Sequence, residues 1–330
     1  MKFLPSILML VPFLALSQVG GSNGYQVLEL STNARSVALA GSTVSLADGD
    51  ISQFFENPAT LDSARAGDIF FNLNPYFTDA IVFTGAYLFN VKKSGSFGVG
   101  LHYLDFGSFD RTDPAGNRLG EFGAKDYAVS IGKAHKLGPI TLGASIKVLH
   151  SSIDSYGSTA IAADIGGVFS VTKNWSVGMV FSNIGTHLTR FNDLETADIP
   201  FDVKIGTTFK PEHMPLRFTL TTGNLVDSNI VEETSSEGRS NQQVEKILRR
   251  VNIGTELVLS ENFQLLFGYS HKRKQELKLE EIGGGAGFSY GLMLNIKKIE
   301  LRYSRATFHA AGGSSFISLQ TNLNNFKSIL

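Results

Sequence analysis

The chain has 330 residues, a formal net charge of -1 and no cysteine. The nearly balanced charge does not favour a nucleic-acid partner. The absence of cysteine excludes disulfides, thiol nucleophiles, cysteine metal sites and a lipoprotein anchor. Glycine and phenylalanine are abundant, with 34 and 25 residues. This composition suits strands that carry small residues on one face and lipid-facing aromatic residues on the other.

The N-terminal segment has the features of an export signal. Lys2 precedes an apolar run over 3–16, and the small residues Ala15 and Ser17 fit the small-x-small rule for cleavage before Gln18. The run is short for a membrane-spanning helix. We therefore predict a signal peptide over 1–17, with an uncleaved N-terminal anchor as the alternative.

The next segment does not alternate between apolar and polar residues. It combines apolar and small residues and ends at the Asn57-Pro58 step, which is typical of a turn. We predict that 18–63 is a periplasmic N-terminal segment that forms a small plug with a helix or two. Asn33, Arg35, Asn57 and Pro58 are its candidate site residues.

From residue 64 onward, about fourteen segments alternate apolar residues with small or polar ones. The segment near 96–104 shows the pattern, because Phe97, Val99 and Leu101 alternate with glycines. Period-two alternation predicts strands with one apolar face, and most segments approach the 9–11 residues of a tilted membrane strand. We predict an all-β fold, an antiparallel transmembrane barrel of about 14 strands over 64–330. A soluble β-sandwich is the alternative.

Short and long links between the segments mostly alternate, although two links of the long set, 75–79 and 152–156, are short. The short links lie at 91–95, 135–139, 172–174, 210–215, 260–262 and 296–298, and the long ones at 105–123, 185–200, 226–249, 271–283 and 306–313. Outer-membrane barrels have short periplasmic turns and longer outer loops. The alternation therefore predicts a location in the cell outer membrane with both termini in the periplasm. The link 226–249 is polar, and we expect it to be mobile.

Charged residues of both signs occur at the inward positions of the predicted strands. They are Lys147, Lys204, Arg217, Arg302, Asp164, Asp202, Glu256 and Glu300. The equal numbers suggest paired charges around a plug, because unpaired charges in a poorly hydrated lumen are costly. Ordinary wet lumen residues are the alternative. The histidines are scattered without metal-ligand spacing. We predict no enzyme activity, no metal site and no cofactor.

Short motifs in the mature chain resemble known barrel families. The segment containing Asn33-Ala34-Arg35 and Asn57-Pro58-Ala59 is similar to the N-terminal hatch of fatty-acid-transporter-type barrels. More closely, the chain resembles the PorQ family of the type IX secretion system of Bacteroidetes. That resemblance covers nearly all of the mature chain and rests on the order and spacing of short motifs. They include Phe122-Gly123-Ala124-Lys125-Asp126-Tyr127-Ala128, Asn183-Ile184-Gly185-Thr186 and Ile199-Pro200-Phe201.

The resemblance implies a fourteen-stranded, non-enzymatic member of the attachment complex in the outer membrane. Such a protein would anchor a PorZ-like surface protein through its outer loops, near a PorV-like barrel, a PorU-like sortase, lipids and lipopolysaccharide. Glu233, Glu237, Arg239 and Arg111 are our candidate partner-binding residues in those loops.

An outer-membrane transporter for hydrophobic small molecules is the alternative function. Glycines at inward strand positions would serve either function. They would permit a kinked strand and a wall opening, or they would make room for the plug.

Overall fold

A computed structural model describes residues 24–76, 78–92, 94–191, 198–226, 239–277, 285–309 and 312–326. They form a closed barrel of 14 antiparallel strands, each paired with its neighbours in the chain, and β14 closes on β1. This confirms the predicted fold class. The strands are β1 Asp68–Pro75, β2 Ile81–Val91, β3 Gly95–Thr112, β4 Arg118–Leu137, β5 Ile140–Ile153, β6 Tyr156–Thr172, β7 Trp175–Thr189, β8 Asp202–Phe209, β9 Leu216–Thr222, β10 Val251–Val258, β11 Phe263–Ser270, β12 Phe288–Ile296, β13 Ile299–His309 and β14 Gly312–Asn322.

The alternation in the sequence separates an outer apolar face from an inner face. On β5, Ile146 is 54% exposed, whereas its neighbours Ser145 and Lys147 are 3% and 8% exposed. Large apolar side chains are exposed on the outward faces of strands all around the barrel. A soluble β-sandwich would bury that face, whereas a membrane barrel presents it to lipid. Among the described residues, no helix has both the length and the apolar character needed to cross a membrane.

Two of the predicted long links are largely strand. β3 and β4 continue to Thr112 and Arg118, so most of 105–123 is a two-stranded extension of the wall, which we call the β3–β4 arm (residues 106–122). The Phe109 and Phe122 rings stack across it at 5.5 Å between centroids. The link over 306–313 is similarly shortened, because β13 reaches His309 and β14 begins at Gly312.

The two ends of the barrel differ in the length of the remaining links. The short-link end carries turns such as 138–139 and 173–174. The long-link end carries 190–201, 223–250 and 271–287. Helices α2 (Arg239–Arg250) and α3 (His271–Glu276) lie in the last two of these links and contact each other. The last part of the link that we expected to be mobile, from Arg239 onward, is therefore helical.

The lumen is occupied by residues 24–66, which we call the plug. It contains helix α1 (Ala34–Ala38) and four short 3₁₀ helices, at Gln26–Leu28, Ile51–Phe55, Pro58–Thr60 and Ser63–Arg65. At its start, the Gly24 amide donates to the carbonyl of Asp198 at the long-link end (3.0 Å). After its end, the carbonyl of Gly67 accepts from the Leu323 amide at the short-link end (2.9 Å).

The plug therefore runs through the barrel from one end to the other. We predicted that the chain before the barrel lies in the periplasm, on the same side as the C-terminus. The described part begins at the opposite end from Asn322–Phe326, where Tyr25 and Val27 pack against Val82 and Leu104 in an apolar cluster. Because residues 1–23 lie outside the described residues, the periplasmic location of the termini stays a prediction. The predicted signal peptide, 1–17, lies outside the described residues.

Candidate functional site

Inward-facing glycines let the plug lie directly against the backbone of the wall. A Cβ atom added to Gly178 would be 2.1 Å from the carbonyl oxygen of Val44. One added to Gly143 would be 2.3 Å from the amide nitrogen of Ala59. These distances are far below van der Waals contact, so a larger residue would displace the plug. Other glycines whose added Cβ would meet the plug within about 3 Å are Gly98, Gly100, Gly132, Gly166, Gly206, Gly254, Gly268 and Gly291.

From the sequence alone, five inward glycines could either permit a kinked strand or make room for the plug, and all five belong to this set. They are Gly98, Gly100, Gly166, Gly254 and Gly268. Their absent side chains are replaced by plug atoms, and every neighbouring strand pair of the barrel is hydrogen-bonded. The structure therefore favours the explanation that these glycines accommodate the plug.

Asn57 and Pro58 fix the plug at the point where it meets β6 and β7. The Asn57 side chain donates to the carbonyl of Val44 at 2.8 Å and to that of Gly167 at 3.3 Å, and it accepts from the Ala59 amide at 3.0 Å. Pro58 is the first residue of its 3₁₀ helix, where a missing amide hydrogen has no consequence. Asn57 therefore joins one plug segment to another and to the wall.

Asn33 and Arg35 hold helix α1 of the plug. The Asn33 side chain caps α1 by accepting from the Ser36 amide at 2.8 Å. The guanidinium of Arg35 is 2% exposed and contacts three carboxylates, of Asp48 (2.7 Å), Asp50 (3.1 Å) and Glu256 (2.8 Å). Glu256 belongs to the inner face of β10, so Arg35 links the plug to the wall.

Two arginines of the wall complete this group of charges. Arg302 on β13 contacts Asp50 at 2.9 Å and also Glu300. Arg217 on β9 contacts Asp48 at 3.0 Å and Glu256 at 2.8 Å. We call the set Arg35, Asp48, Asp50, Arg217, Glu256, Glu300 and Arg302 the plug ion cluster. Its members share partners, so each buried charge has an opposite charge in contact.

The electrostatics of the plug carboxyls follow from these contacts. Burial alone would raise the pKa of Asp48, but the adjacent Arg35 guanidinium outweighs it and lowers that pKa strongly. The pKa of Asp50 is likewise lowered, because Arg302 and Arg35 outweigh the effect of burial. Both carboxyls are therefore ionised in the folded protein. Glu56 differs, since its burial prevails over the attraction of Lys204 and raises its pKa.

A second buried ion pair lies on the opposite side of the lumen. Lys147 on β5 contacts Asp164 on β6 at 2.7 Å and donates to the side chain of Asn183 at 2.8 Å. Asn183 has a left-handed φ of 61°, and the register between β6 and β7 shifts beside it. Six of the eight inward charges predicted from the sequence thus form ion pairs. The other two, Lys204 and Asp202, line a cavity at the long-link end.

The candidate partner-binding residues lie in different links. Glu233 and Glu237 lie outside the described residues, and Arg239 begins α2 with a side chain that also lies outside them. Arg111 projects from the β3–β4 arm, where it pairs with Asp154 and lies 6.0 Å from the centre of the Phe122 ring. The structure describes no site that unites them.

Two cavities open at the long-link end. The charged vestibule, about 670 Å³, is lined by residues that include Lys204, Arg249, Arg250, Arg273 and Glu276. The apolar cleft, about 650 Å³, lies between the β1–β2 link and the β3–β4 arm, and Leu30, Tyr76, Leu104, Phe106 and Phe109 line much of it.

A third, polar cavity of about 310 Å³ lies at the short-link end, beside Arg65 and Lys298. None of these three cavities crosses the plug. Sequence reasoning did not anticipate any of them, because each is assembled from distant links. Among the described side chains, no group of three histidine, aspartate or glutamate residues is arranged to hold a metal ion.

Comparisons with known proteins identify the fold. No family model matches the chain, and no curated protein matches it. The toluene transporter TodX of P. putida aligns over 89% of this chain and 99% of its own, with 13% identity and a TM-score of 0.53. The CymD monoaromatic hydrocarbon channel aligns over 91% of this chain and 99% of its own, with 10% identity and a TM-score of 0.51. The chain therefore shares the fold of these two proteins, which in this chain is a closed barrel of 14 strands.

Proposed function

We propose that this protein is a non-enzymatic outer-membrane barrel that anchors a surface protein at its long-link end. The observation that carries the proposal is the contact of the plug with the bare backbone of the wall, at Gly178 and Gly143 among others. A lumen filled in this way favours a structural role over a passage. The surfaces left for a partner are the charged vestibule, the apolar cleft and the β3–β4 arm.

The identity of the partner rests on the sequence resemblance to the PorQ family. We propose a PorZ-like surface protein, with a PorV-like barrel, a PorU-like sortase and lipopolysaccharide as further members of the assembly. The β3–β4 arm is the most prominent binding element, because it stands above the wall and exposes Phe109 and Leu119. Exposed apolar side chains on a projecting hairpin suit a protein partner.

Deletion of the gene and excision of the arm test the anchor. If the protein anchors such a partner, deletion leaves secreted cargo immature and unattached. Replacement of 106–122 by a two-residue turn should release the PorZ-like protein, whereas the barrel still inserts. Shortening of the turn at 210–215, at the short-link end, is the matched control and should leave co-purification unchanged. Mature, attached cargo after gene deletion would refute the anchor.

Uptake of hydrophobic small molecules is the second candidate function. The apolar cleft is large enough for such a molecule, and the fold neighbours are described as a toluene transporter and as monoaromatic hydrocarbon channels. The comparisons fit this candidate better than they fit the anchor. Passage would require the plug to move, and therefore the plug ion cluster to open.

Uptake of radiolabelled toluene by cells tests the second candidate. If the protein is a transporter, cells that lack it should accumulate toluene more slowly, and Phe106→Asp in the cleft should have the same effect. Phe109→Asp is a second cleft variant, in case the first fails to insert. Equal uptake with and without the protein would refute transport and leave the anchor as the surviving function.

A further inference from the structure

We infer that helix α2 lies in the membrane interface at the long-link end, with one face inserted among the lipid acyl chains. Val244, Ile247 and Leu248 are 56%, 62% and 43% exposed. Their spacing of three and four residues places them on one side of the helix. Such an apolar stripe on an exposed helix with basic residues is the pattern of helices that lie in a membrane surface.

The orientation of α2 directs this stripe away from the barrel axis. Arg249 and Arg250 line the charged vestibule, and the three apolar residues do not. On a helical projection with 100° per residue, the midpoint between the two arginines lies nearly opposite the apolar stripe. Glu245, between these faces, bonds His271 of α3 at 2.9 Å. The helix is therefore held against the mouth by its polar side, and its apolar side faces outward.

The wall beneath α2 is too short to cover the hydrocarbon core. β8, β10 and β11 have eight residues and β9 has seven, whereas β3 to β7 have 14 to 20. A tilted membrane strand has about 9–11 residues. Eight residues at a tilt of about 40° span roughly 20 Å, against an apolar band of about 25 Å. Along β8 to β11, the apolar surface of the wall is therefore about 5 Å shorter than the apolar band of a membrane barrel.

Helix α2 is placed to supply the missing apolar surface. It ends at Arg250 and β10 begins at the next residue, so no linker separates the helix from the wall. Ile253 on β10 and Leu220 on β9 are exposed below it. The apolar stripe thus continues the lipid-facing surface, and a helix about 10 Å wide covers the deficit of about 5 Å. This continuity identifies the occupant as lipid.

The polar side of α2 is basic, because Lys246 falls between Arg249 and Arg250 on the helical projection, opposite the apolar stripe. The inference is independent of the proposed functions, because an anchor and a transporter need the same seal.

Fluorescence of a single tryptophan tests the inference. Trp175 is the only tryptophan of the chain, so Trp175→Phe provides a silent background. In that background Ile247→Trp is reconstituted into phosphatidylcholine vesicles, with and without bromine atoms on the acyl chains. We expect blue-shifted emission, at least twofold quenching by brominated lipid and little quenching by aqueous iodide.

Two further variants keep the result interpretable. Val244→Trp carries the same expectation if Ile247→Trp does not insert, and the heat-dependent gel shift of the folded barrel verifies insertion. Leu119→Trp, at the tip of the β3–β4 arm, is the matched control and should be quenched by iodide alone. Water-like emission at 247 and 244 would overturn the inference. Blue-shifted emission without lipid quenching would also overturn it, because the stripe would then be covered by protein.

Discussion

Arg35 and Glu256 join the plug to the barrel wall through a buried contact of 2.8 Å between Nε and Oε1. Arg35 lies on α1 and Glu256 on β10, and both side chains are almost inaccessible to solvent. Because Asp48 and Arg217 share these partners, the contact is one part of a network. The network fixes the position of α1 in the lumen.

Loss of the Arg35 charge should destabilise the protein strongly. Arg35→Met leaves Asp48, Asp50 and Glu256 with one cation fewer, and removal of one partner from a buried ion pair typically costs about 3–5 kcal/mol. We expect a decrease of that size in the free energy of unfolding, measured by urea titration in lipid vesicles. Arg118→Met is the control, since its pairs with Asp110 and Glu121 are both exposed and each should contribute about 0–1 kcal/mol. Equal losses in both variants would contradict the buried cluster.

A methyl group on the inner wall should disturb the plug, whereas one on the outer wall should not. Gly178→Ala places a Cβ 2.1 Å from the Val44 carbonyl oxygen, and overpacking of this kind costs about 1–3 kcal/mol. Gly167→Ala is the matched control, because its Cβ would meet only atoms at 3.5 Å or more. The same urea titration should show a change within about 0.5 kcal/mol for the control. An unchanged free energy of unfolding in Gly178→Ala would show that the plug does not contact the β7 backbone.

Acid should weaken the plug ion cluster only at low pH. The folded-state pKa values of Asp48 and Asp50 are lower than their ordinary value of 3.8. A carboxyl with a lowered folded-state pKa contributes stability that is complete above its unfolded pKa and is lost as the pH falls toward the folded one. These two groups should therefore leave the free energy of unfolding flat from pH 7 to 5 and decrease it below about pH 4. In Asp48→Asn, the decrease in the free energy of unfolding at acid pH should be smaller than in the natural protein.

Glu56 should show the opposite dependence on pH. Its folded-state pKa is raised above 4.5, chiefly by burial, so the charged carboxylate disfavours the folded state at neutral pH. That penalty disappears as the pH falls from above the raised pKa to below 4.5. Glu56→Gln should therefore unfold at a higher urea concentration than the natural protein at pH 7. The difference should vanish by pH 4. A less stable variant at pH 7 would mean that the attraction between Lys204 and the Glu56 carboxylate outweighs the cost of burying that carboxylate.

The strands could be predicted because apolar residues alternate with small or polar ones within each strand. The lengths of the links could be predicted less well. Alternation fixes which side chains face lipid, as for Ile146 and Lys147 on β5. The β3–β4 arm escaped prediction because Gly107 and the polar residues around it resemble a loop, although cross-strand pairs such as Asp110 with Glu121 continue the ladder. Helix α2 was missed because its polar residues outnumber the Val244, Ile247 and Leu248 stripe.

The plug could be predicted as a segment, but not its path. Asn33, Arg35, Asn57 and Pro58 were singled out, and all four make buried contacts in the lumen. Their partners could not be derived, because the plug has no periodic structure from which a register follows. The pairing of Asp50 with Arg302, 252 residues away, depends on barrel closure. The direction of the plug through the lumen depends likewise on packing around Tyr25 and Val27.

A reversible covalent tether between plug and wall tests the central claim most directly. Ser45 Oγ in the plug lies 2.7 Å from Thr208 Oγ1 on β8, and the chain has no other cysteine to interfere. In Ser45→Cys/Thr208→Cys we expect a disulfide to form in membranes, without loss of the folded barrel. Cells carrying the tether should retain surface attachment of cargo, and each single-cysteine variant is a control. A folded barrel that forms no disulfide would contradict the position of the plug, and attachment that fails until the tether is reduced would contradict a static anchor.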